Sequence, residues 1–106
     1  MGSYAITRKT QHGFETALAL QIHKKNGEKL AIWYYEIVSP IHLKSEKEIE
    51  LVSGNFKIRI EGNRMSELFW LLCEHRLAVI REISSDFTVI KPNEVSITGI
   101  QLETIT

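Results

Sequence analysis

The sequence contains a single cysteine, Cys73, among its 106 residues. One thiol cannot form an intramolecular disulfide, and small secreted domains usually carry several disulfides. The beginning of the sequence also lacks the basic and apolar regions of a secretory signal peptide. We therefore expect a protein of the reducing cytoplasm.

Long hydrophobic runs and an excess of charge of one sign are also missing. The longest apolar runs, residues 30–35 and 68–73, are far shorter than the roughly 20 residues that a membrane-spanning helix needs. Thirteen Lys and Arg residues balance thirteen Asp and Glu residues. This balance removes the net charge that favours nonspecific binding to nucleic acid. We expect no membrane partner, and a nucleic acid is disfavoured.

Motifs for catalysis and for metal or cofactor binding are not found. The sequence has no glycine-rich phosphate loop, nucleophile elbow or paired-cysteine metal knuckle. Cys73 and His75 would lie about 160° apart on a helix and cannot form a thiolate–imidazole pair with each other. The histidines do not occur at a recognised metal-ligand spacing; they are His12, His23, His42 and His75. We predict no catalytic residue, cofactor or metal ligand, and we favour a protein that is not an enzyme.

What the sequence does contain is an ordinary globular composition, with 43% hydrophobic and 25% charged residues. A chain of this length has room for one compact domain, which we place at residues 1–106. No internal repeat, linker or low-complexity segment divides it.

The dipeptide Asn26-Gly27, between two strand-like runs, is typical of a two-residue hairpin loop. Counting outward from this loop pairs Leu20 with Trp33 and places Trp33 and Tyr35 on the core face. The opposite face then holds an apolar row that other strands or a second chain must cover: Leu30, Ile32, Tyr34 and Val38.

A second hairpin is predicted over residues 47–62, with Gly54-Asn55 as its loop. This register pairs Glu50 with Arg59, and the alternation is that of a half-buried antiparallel pair. Its core face holds five apolar side chains: Ile49, Leu51, Phe56, Ile58 and Ile60.

One helix is predicted over about residues 64–76, with Asn63 as its N-cap. Its buried stripe comprises Met65, Leu68, Phe69 and Leu72, and we expect Phe69 at the centre of that stripe. Trp70 and Leu71 fall outside the stripe. Either a crossing segment of the same chain covers them or they form a contact surface.

The C-terminal part predicts strands over residues 78–84 and 87–90, with turns at residues 84–86 and 91–94. In the last strand, Val95 and Ile97 lie on one parity, whereas Ile100 and Leu102 lie on the other. A β-bulge at Thr98-Gly99 would return these four side chains to one face. A further strand is expected within residues 4–9.

These elements predict an α+β fold. We expect a mostly antiparallel, strongly curved, barrel-like sheet of six to eight strands, with the helix at about residues 64–76 packed on it. The alternative is a more open sheet whose second face is covered by a partner subunit.

The preferred function is a non-catalytic interaction or regulatory module that forms a homo-oligomer. Trp70, Leu71 and Tyr34 are the predicted partner interface, because each is an apolar or aromatic residue outside the predicted core faces.

Two other functions remain open. The first is a nucleic-acid-binding module that uses the lysines at the first hairpin tip, Lys24, Lys25 and Lys29. The second is a small-ligand-binding barrel, or an enzyme whose site forms between subunits.

Overall fold

A computed structural model describes residues 3–38, 40–83 and 93–105. Within these ranges the chain forms ten strands, one α-helix and one 3-10 helix. The strands are β1 (Tyr4–Ile6), β2 (Lys9–Thr10), β3 (Gly13–Phe14), β4 (Ala19–His23), β5 (Lys29–Trp33), β6 (His42–Ser45), β7 (Glu48–Ser53), β8 (Phe56–Asn63), β9 (Leu77–Arg81) and β10 (Ser96–Thr104). The α-helix α1 spans Met65–Cys73, and the 3-10 helix spans Tyr34–Glu36.

The strands form two four-stranded sheets and one two-stranded sheet. Sheet 1 has the order β1-β9-β4-β5, sheet 2 has the order β10-β8-β7-β6, and β2 pairs with β3. All pairings are antiparallel except that of β4 with β9. The α+β class and the mostly antiparallel pairing are confirmed.

The single barrel-like sheet of six to eight strands is not confirmed, because the described strands divide between separate sheets and do not close into a barrel. The division occurs after β5. There the chain leaves sheet 1 through the 3-10 helix and reaches sheet 2, where the Val38 N–H donates to the Val52 carbonyl oxygen (3.2 Å).

The predicted register of the first hairpin is wrong by one residue. The Gly27 N–H donates to the Lys24 carbonyl oxygen (3.0 Å) and the Lys24 N–H donates to the Glu28 carbonyl oxygen (2.8 Å), so the loop has three residues, 25–27. Only Gly27 in this loop has a positive φ, of 95°. This arrangement is that of a type I turn followed by a glycine bulge. Leu20 consequently pairs with Ile32, and Trp33 pairs with Ala19.

The shift exchanges the two faces of the second strand, because side chains alternate with a period of two. Ile32 and Tyr34 are buried and belong to the core, whereas Trp33 and Tyr35 are exposed. The apolar row of Leu30, Ile32, Tyr34 and Val38 therefore needs no second chain to cover it, because most of it faces the core. Only Val38 of that row lies on the surface, with 69% of its area exposed.

The second hairpin has the predicted register. Glu50 pairs with Arg59, Ser53 pairs with Phe56, and Gly54-Asn55 is the loop. Four of the five predicted core residues are buried, and Phe56 at the hairpin end is 46% exposed.

The predicted bulge in the last strand is also confirmed. Ile97 pairs with Gly62 and Gly99 pairs with Glu61, so one residue is inserted between them. Ile97 and Ile100 both lie in the core as a result. The predicted turn at 84–86 and the predicted strand at 87–90 lie outside the described residues, as do residues 91–92 of the turn at 91–94.

The helix α1 is shorter than the predicted range, and Asn63 is not its N-cap. Asn63 ends β8, and the N-cap is Arg64, in a left-handed conformation with φ 58° and no side-chain cap. The carboxylate of Glu46, in the turn between β6 and β7, performs the capping function instead. It accepts hydrogen bonds from the Ser66 N–H (3.2 Å) and the Ser66 hydroxyl (2.8 Å), which places a negative charge at the helix N-terminus.

The C-terminus of α1 is closed by the backbone beyond Cys73. His75 is left-handed (φ 55°) and its N–H donates to the Leu72 carbonyl oxygen, while the Arg76 N–H donates to the Leu71 carbonyl oxygen. These two hydrogen bonds form the C-terminal motif in which glycine is the usual left-handed residue.

The buried face of α1 differs from the predicted stripe in its centre. Met65, Leu68 and Leu72 are completely buried, whereas Phe69 is only partly buried and packs at the side of the core. The core lies between the helix and the inner faces of the two sheets. The described part of the chain contains no helix with the length and apolar character needed to cross a membrane.

Candidate functional site

Tyr34, one of the predicted interface residues, lies inside the molecule. Its side chain is 5% exposed, and its hydroxyl donates a 2.6 Å hydrogen bond to the carbonyl oxygen of Leu77. Its ring stacks on the His75 ring at a centroid distance of 4.4 Å. Tyr34 therefore connects the 3-10 helix to the end of α1 and the start of β9, and it is not part of the exposed surface.

We expect Tyr34→Phe to lower the free energy of unfolding by about 1–3 kcal/mol, because the buried Leu77 carbonyl oxygen loses its donor. Burial raises the pKa of the Tyr34 hydroxyl well above its usual value of 10.0. A raised pKa in the folded state stabilises the fold fully below pH 10, and this contribution is lost as the pH rises further. Urea unfolding between pH 7 and pH 11 measures it.

Comparing the pH profiles of the unmodified chain and of Tyr34→Phe isolates the contribution of the Tyr34 hydroxyl. The unmodified chain should lose stability above pH 10 more steeply than Tyr34→Phe, which lacks the titrating group. Parallel pH profiles for the two proteins would contradict this assignment.

Trp70 and Leu71, the other two predicted interface residues, differ in exposure. Trp70 is 63% exposed and contacts Phe69 edge to face, with ring centroids 5.2 Å apart. Leu71 is partly buried and packs against the core. The helix surface therefore presents one large aromatic side chain to solvent.

The three predicted nucleic-acid contacts are spread over the first hairpin. Lys29 is exposed at the start of β5, Lys25 is exposed in the loop, and Lys24 is partly buried. The backbone N–H of Lys25 donates to the carboxylate of Glu82 (3.1 Å), which ties the loop to the end of β9.

Among the described residues, the outward side chains on the four strands of sheet 1 include no carboxylate. Arg81, His23 and Lys29 follow one another across β9, β4 and β5 at one end of this face. Burial, and then the charges of Lys29 and Arg81, lower the pKa of His23. The face opposite the core is formed by nine residues on the four strands: Ala5, Ala19, Gln21, His23, Lys29, Ala31, Trp33, Val79 and Arg81.

The outer face of sheet 2 is charged but neutralised by its own ion pairs. Glu50 contacts three cations, at 3.3 Å (Lys44), 3.6 Å (Lys57) and 3.5 Å (Arg59). Burial opposes the ionisation of Glu50, but the hydrogen bond from Lys44 and the three positive charges outweigh it and lower the pKa of Glu50. The cations of sheet 2 thus have partners within the chain.

Two exposed aromatic residues accompany the cations of sheet 1. Trp33 and Tyr35 stack with ring centroids 6.0 Å apart and an interplanar angle of 23°. They are 44% and 76% exposed, respectively. The incorrect register had placed both of them in the core, so sequence reasoning missed this surface.

The outer edge of β5 is also open. The Lys24 N–H donates to the Glu28 carbonyl oxygen (2.8 Å) and the Tyr34 N–H donates to the Leu18 carbonyl oxygen (3.0 Å), and these two bonds fix the phase of the ladder. In this phase the backbone N–H and C=O groups at positions 29, 31 and 33 point away from β4. Among the described residues, no strand pairs with β5 on that side.

A half-open groove of about 700 Å³ runs beside this edge. We call the apolar part of its lining the floor, and the lining also includes the charged residues Lys24, Glu28 and Glu36. The principal lining side chains are Lys24, Leu30, Ile32, Glu36, Ile58 and Leu102. The size and apolar floor are those of a site for a small ligand or for part of another chain.

Cys73 and the histidines do not form a reactive cluster among the described residues. Cys73 is exposed overall, but partial desolvation of its thiol, together with the charge of Glu74, raises the pKa of that thiol, which disfavours the nucleophilic thiolate. Within the described ranges, no group of three His, Cys, Asp or Glu side chains is arranged to hold a metal ion.

Comparisons of the chain with protein-family models, with curated proteins and with solved structures gave no match.

Proposed function

We propose that this chain is a single-domain, non-catalytic interaction module of the cytoplasm that forms a homodimer through the open edge of β5. The observation that carries the proposal is the row of outward-pointing backbone groups at Lys29, Ala31 and Trp33, which no described strand pairs. Unpaired donors and acceptors along a strand edge are satisfied by another extended strand.

The sequence of β5 is complementary to itself about Ala31. Antiparallel pairing around a two-fold axis at Ala31 places Lys29 opposite Trp33 of the partner subunit, and Leu30 opposite Ile32 of the partner subunit. All three residues with outward-pointing backbone groups then pair with one another. Each pair exchanges two hydrogen bonds, as in any antiparallel ladder.

The side chains across this axis are also compatible. The ammonium group of Lys29 meets the indole of Trp33 of the partner subunit, a favourable cation–π pair. At the two-fold axis Ala31 pairs with Ala31 of the partner subunit, and no charged residue lies opposite a residue of the same charge. On the groove side, the second copy covers Leu30 and part of the apolar floor, which adds hydrophobic stabilisation.

The Ala31→Pro variant tests the edge pairing. The N–H of Ala31 points away from β4, so proline removes a hydrogen bond of the dimer and none of the β4–β5 ladder. We expect light scattering to give twice the 12.2 kDa chain mass for the unmodified protein and one chain mass for Ala31→Pro. Circular dichroism should be the same for both.

The matched control is Ala31→Ser, which retains the N–H and should remain a dimer. A monomeric unmodified protein at high concentration would overturn the proposal and leave the groove to the small-ligand alternative. A dimer that persists in Ala31→Pro would place the interface elsewhere on the molecule.

The helix surface is the second candidate interface, because Trp70 is 63% exposed there. Trp70→Glu tests it without disturbing Leu71, which packs on the core. A Trp70→Glu monomer, together with an Ala31→Pro dimer, would assign the interface to α1.

A further inference from the structure

We infer that Glu82 determines which strand edge associates with a second copy of this chain, because its carboxylate blocks the outer edge of β10 and leaves the edge of β5 open. Sheet 2 ends in β10, and among the described residues no strand pairs with β10 on the side away from β8. The inference deepens the proposed function, and it rests on that function for the association through β5.

The first part of the β10 edge is occupied by other segments of the same chain. The Ile97 N–H donates to the Ser3 hydroxyl oxygen (3.2 Å), and the Ile97 carbonyl oxygen accepts from the Ile83 N–H (2.9 Å). Both groups of Ile97 therefore point away from β8 and already have partners.

The second part of the edge begins at Ile100, whose N–H also points away from β8, toward Glu82. In an antiparallel ladder this orientation recurs at every second residue, so the backbone groups of Leu102 and Thr104 point the same way. This part of β10 therefore has three residues with outward-pointing backbone groups, as β5 has.

The sequence of this part is compatible with pairing to a second copy. A two-fold axis at Leu102 places Ile100 opposite Thr104 of the partner subunit, and Gln101 opposite Glu103 of the partner subunit. No like charges face one another, and a β-branched side chain faces another β-branched side chain. The residues of β10 alone therefore do not prevent association through this edge.

The carboxylate of Glu82 prevents this pairing at Ile100. Its Oε2 atom accepts a hydrogen bond from the Ile100 N–H (2.8 Å), which is the place that a carbonyl oxygen of a partner strand would take. Its Oε1 atom accepts from the Lys25 N–H (3.1 Å), and the Glu82 N–H donates to the His23 carbonyl oxygen (2.8 Å). Three hydrogen bonds thus hold Glu82 at the edge, and charged side chains at an edge protect strands from pairing with other chains.

Light scattering of Glu82→Ala tests the inference in two backgrounds. In the Ala31→Pro chain, which the proposed function makes a monomer, we expect Glu82→Ala to raise the mass from one chain of 12.2 kDa to two chains. With Ala31 retained, both edges are open, and chains linked alternately through β5 and β10 should exceed the mass of a dimer. Such a series does not close, so its mass should increase with concentration.

Thr104→Pro separates pairing at β10 from nonspecific aggregation. Thr104 is exposed and its N–H points away from β8, so proline removes an edge donor and no hydrogen bond of the β8–β10 ladder. Added to Glu82→Ala, this change should return the mass to that of the parent chain.

Glu103→Ala is the control for charge, because it removes a carboxylate from β10 itself without opening the edge at Ile100. It should leave the mass unchanged. Circular dichroism should be the same for every variant. If Glu82→Ala does not fold, Glu82→Gln replaces it, since glutamine keeps the side-chain length but turns one acceptor oxygen into a donor.

The β5 dimer and the blocking role of Glu82 fail in different ways. A dimeric Ala31→Pro chain contradicts the β5 dimer, whatever the mass of the Glu82 variant. Equal masses for the Glu82 variant and its parent in both backgrounds overturn the role of Glu82. Growth that Thr104→Pro does not reverse, or that Glu103→Ala reproduces, overturns it as well.

Discussion

Gly62→Ala should destabilise the protein by about 3 kcal/mol, the upper end of the usual range for an overpacked site. A Cβ atom at position 62 would overlap the carbonyl oxygen of Ser96 and would lie 2.9 Å from the carbonyl carbon of the same residue. Both atoms belong to the backbone of β10 and cannot turn aside as a side chain would. The β8–β10 pairing must therefore separate locally, next to the bulge.

Gly99→Ala is the control for this prediction, because Gly99 lies in the same bulge. Its added Cβ atom would come no closer than 3.7 Å to its neighbour, Glu61, which is ordinary van der Waals contact. Urea midpoints should therefore fall sharply for Gly62→Ala and little for Gly99→Ala. Equal midpoints for the two variants would show that β10 does not pass Gly62 as closely as described.

Leu68→Ala should cost about 2–5 kcal/mol of unfolding free energy, the range for large-to-small substitutions in a packed core. Leu68 is completely buried at the middle of α1, between the buried residues Met65 and Leu72. The neighbouring elements belong to two sheets and cannot all move in to fill the space. Thermal and urea unfolding measure the loss.

Phe69→Ala and Trp70→Ala complete the series along the helix. Phe69 is partly buried, so Phe69→Ala should lower the free energy of unfolding less than Leu68→Ala does. The sequence pattern predicts the opposite, because it places Phe69 at the centre of the buried stripe. Trp70 is largely exposed, and its edge-to-face contact with Phe69 should be worth about 1 kcal/mol. A larger loss for Phe69→Ala than for Leu68→Ala would mean that α1 is rotated about its axis.

The two hairpins show what the sequence could predict about this fold. The Gly54-Asn55 hairpin was predicted in its observed register because alternation on both strands permits only one pairing that buries Ile49, Leu51, Ile58 and Ile60. The first hairpin has apolar residues on both faces of its second strand. The pattern therefore did not fix the register, and the turn decided it.

The error of one residue came from the turn chemistry of Asn26-Gly27. The same dipeptide fits two loops. One has two residues, both with positive φ, and the other has three residues, of which only Gly27 has a positive φ. Of these two, the three-residue loop places Leu30 and Ile32 on the same face as the buried residues Leu20 and Ile22. The three-residue loop is therefore the one that puts the apolar side chains of both strands on a single face.

The candidate surfaces were predictable only in part. The lysines of the hairpin tip and the exposed Trp70 were identified from the sequence, whereas the open β5 edge, the groove and the Trp33–Tyr35 stack depended on the corrected register. The division into two sheets follows from the 3-10 helix at Tyr34–Glu36, which continues a β-like sequence and has no separate signal.

The capping of α1 by Glu46 makes the helix dependent on a distant part of the chain. A nine-residue helix is too short to be stable alone in water, and its first turn receives its acceptor from the β6–β7 turn, 20 residues earlier. The first turn of the helix therefore gains this acceptor only when the β6–β7 turn is in place. Folding of α1 and of sheet 2 should be one cooperative event, in which loss of either element removes the other.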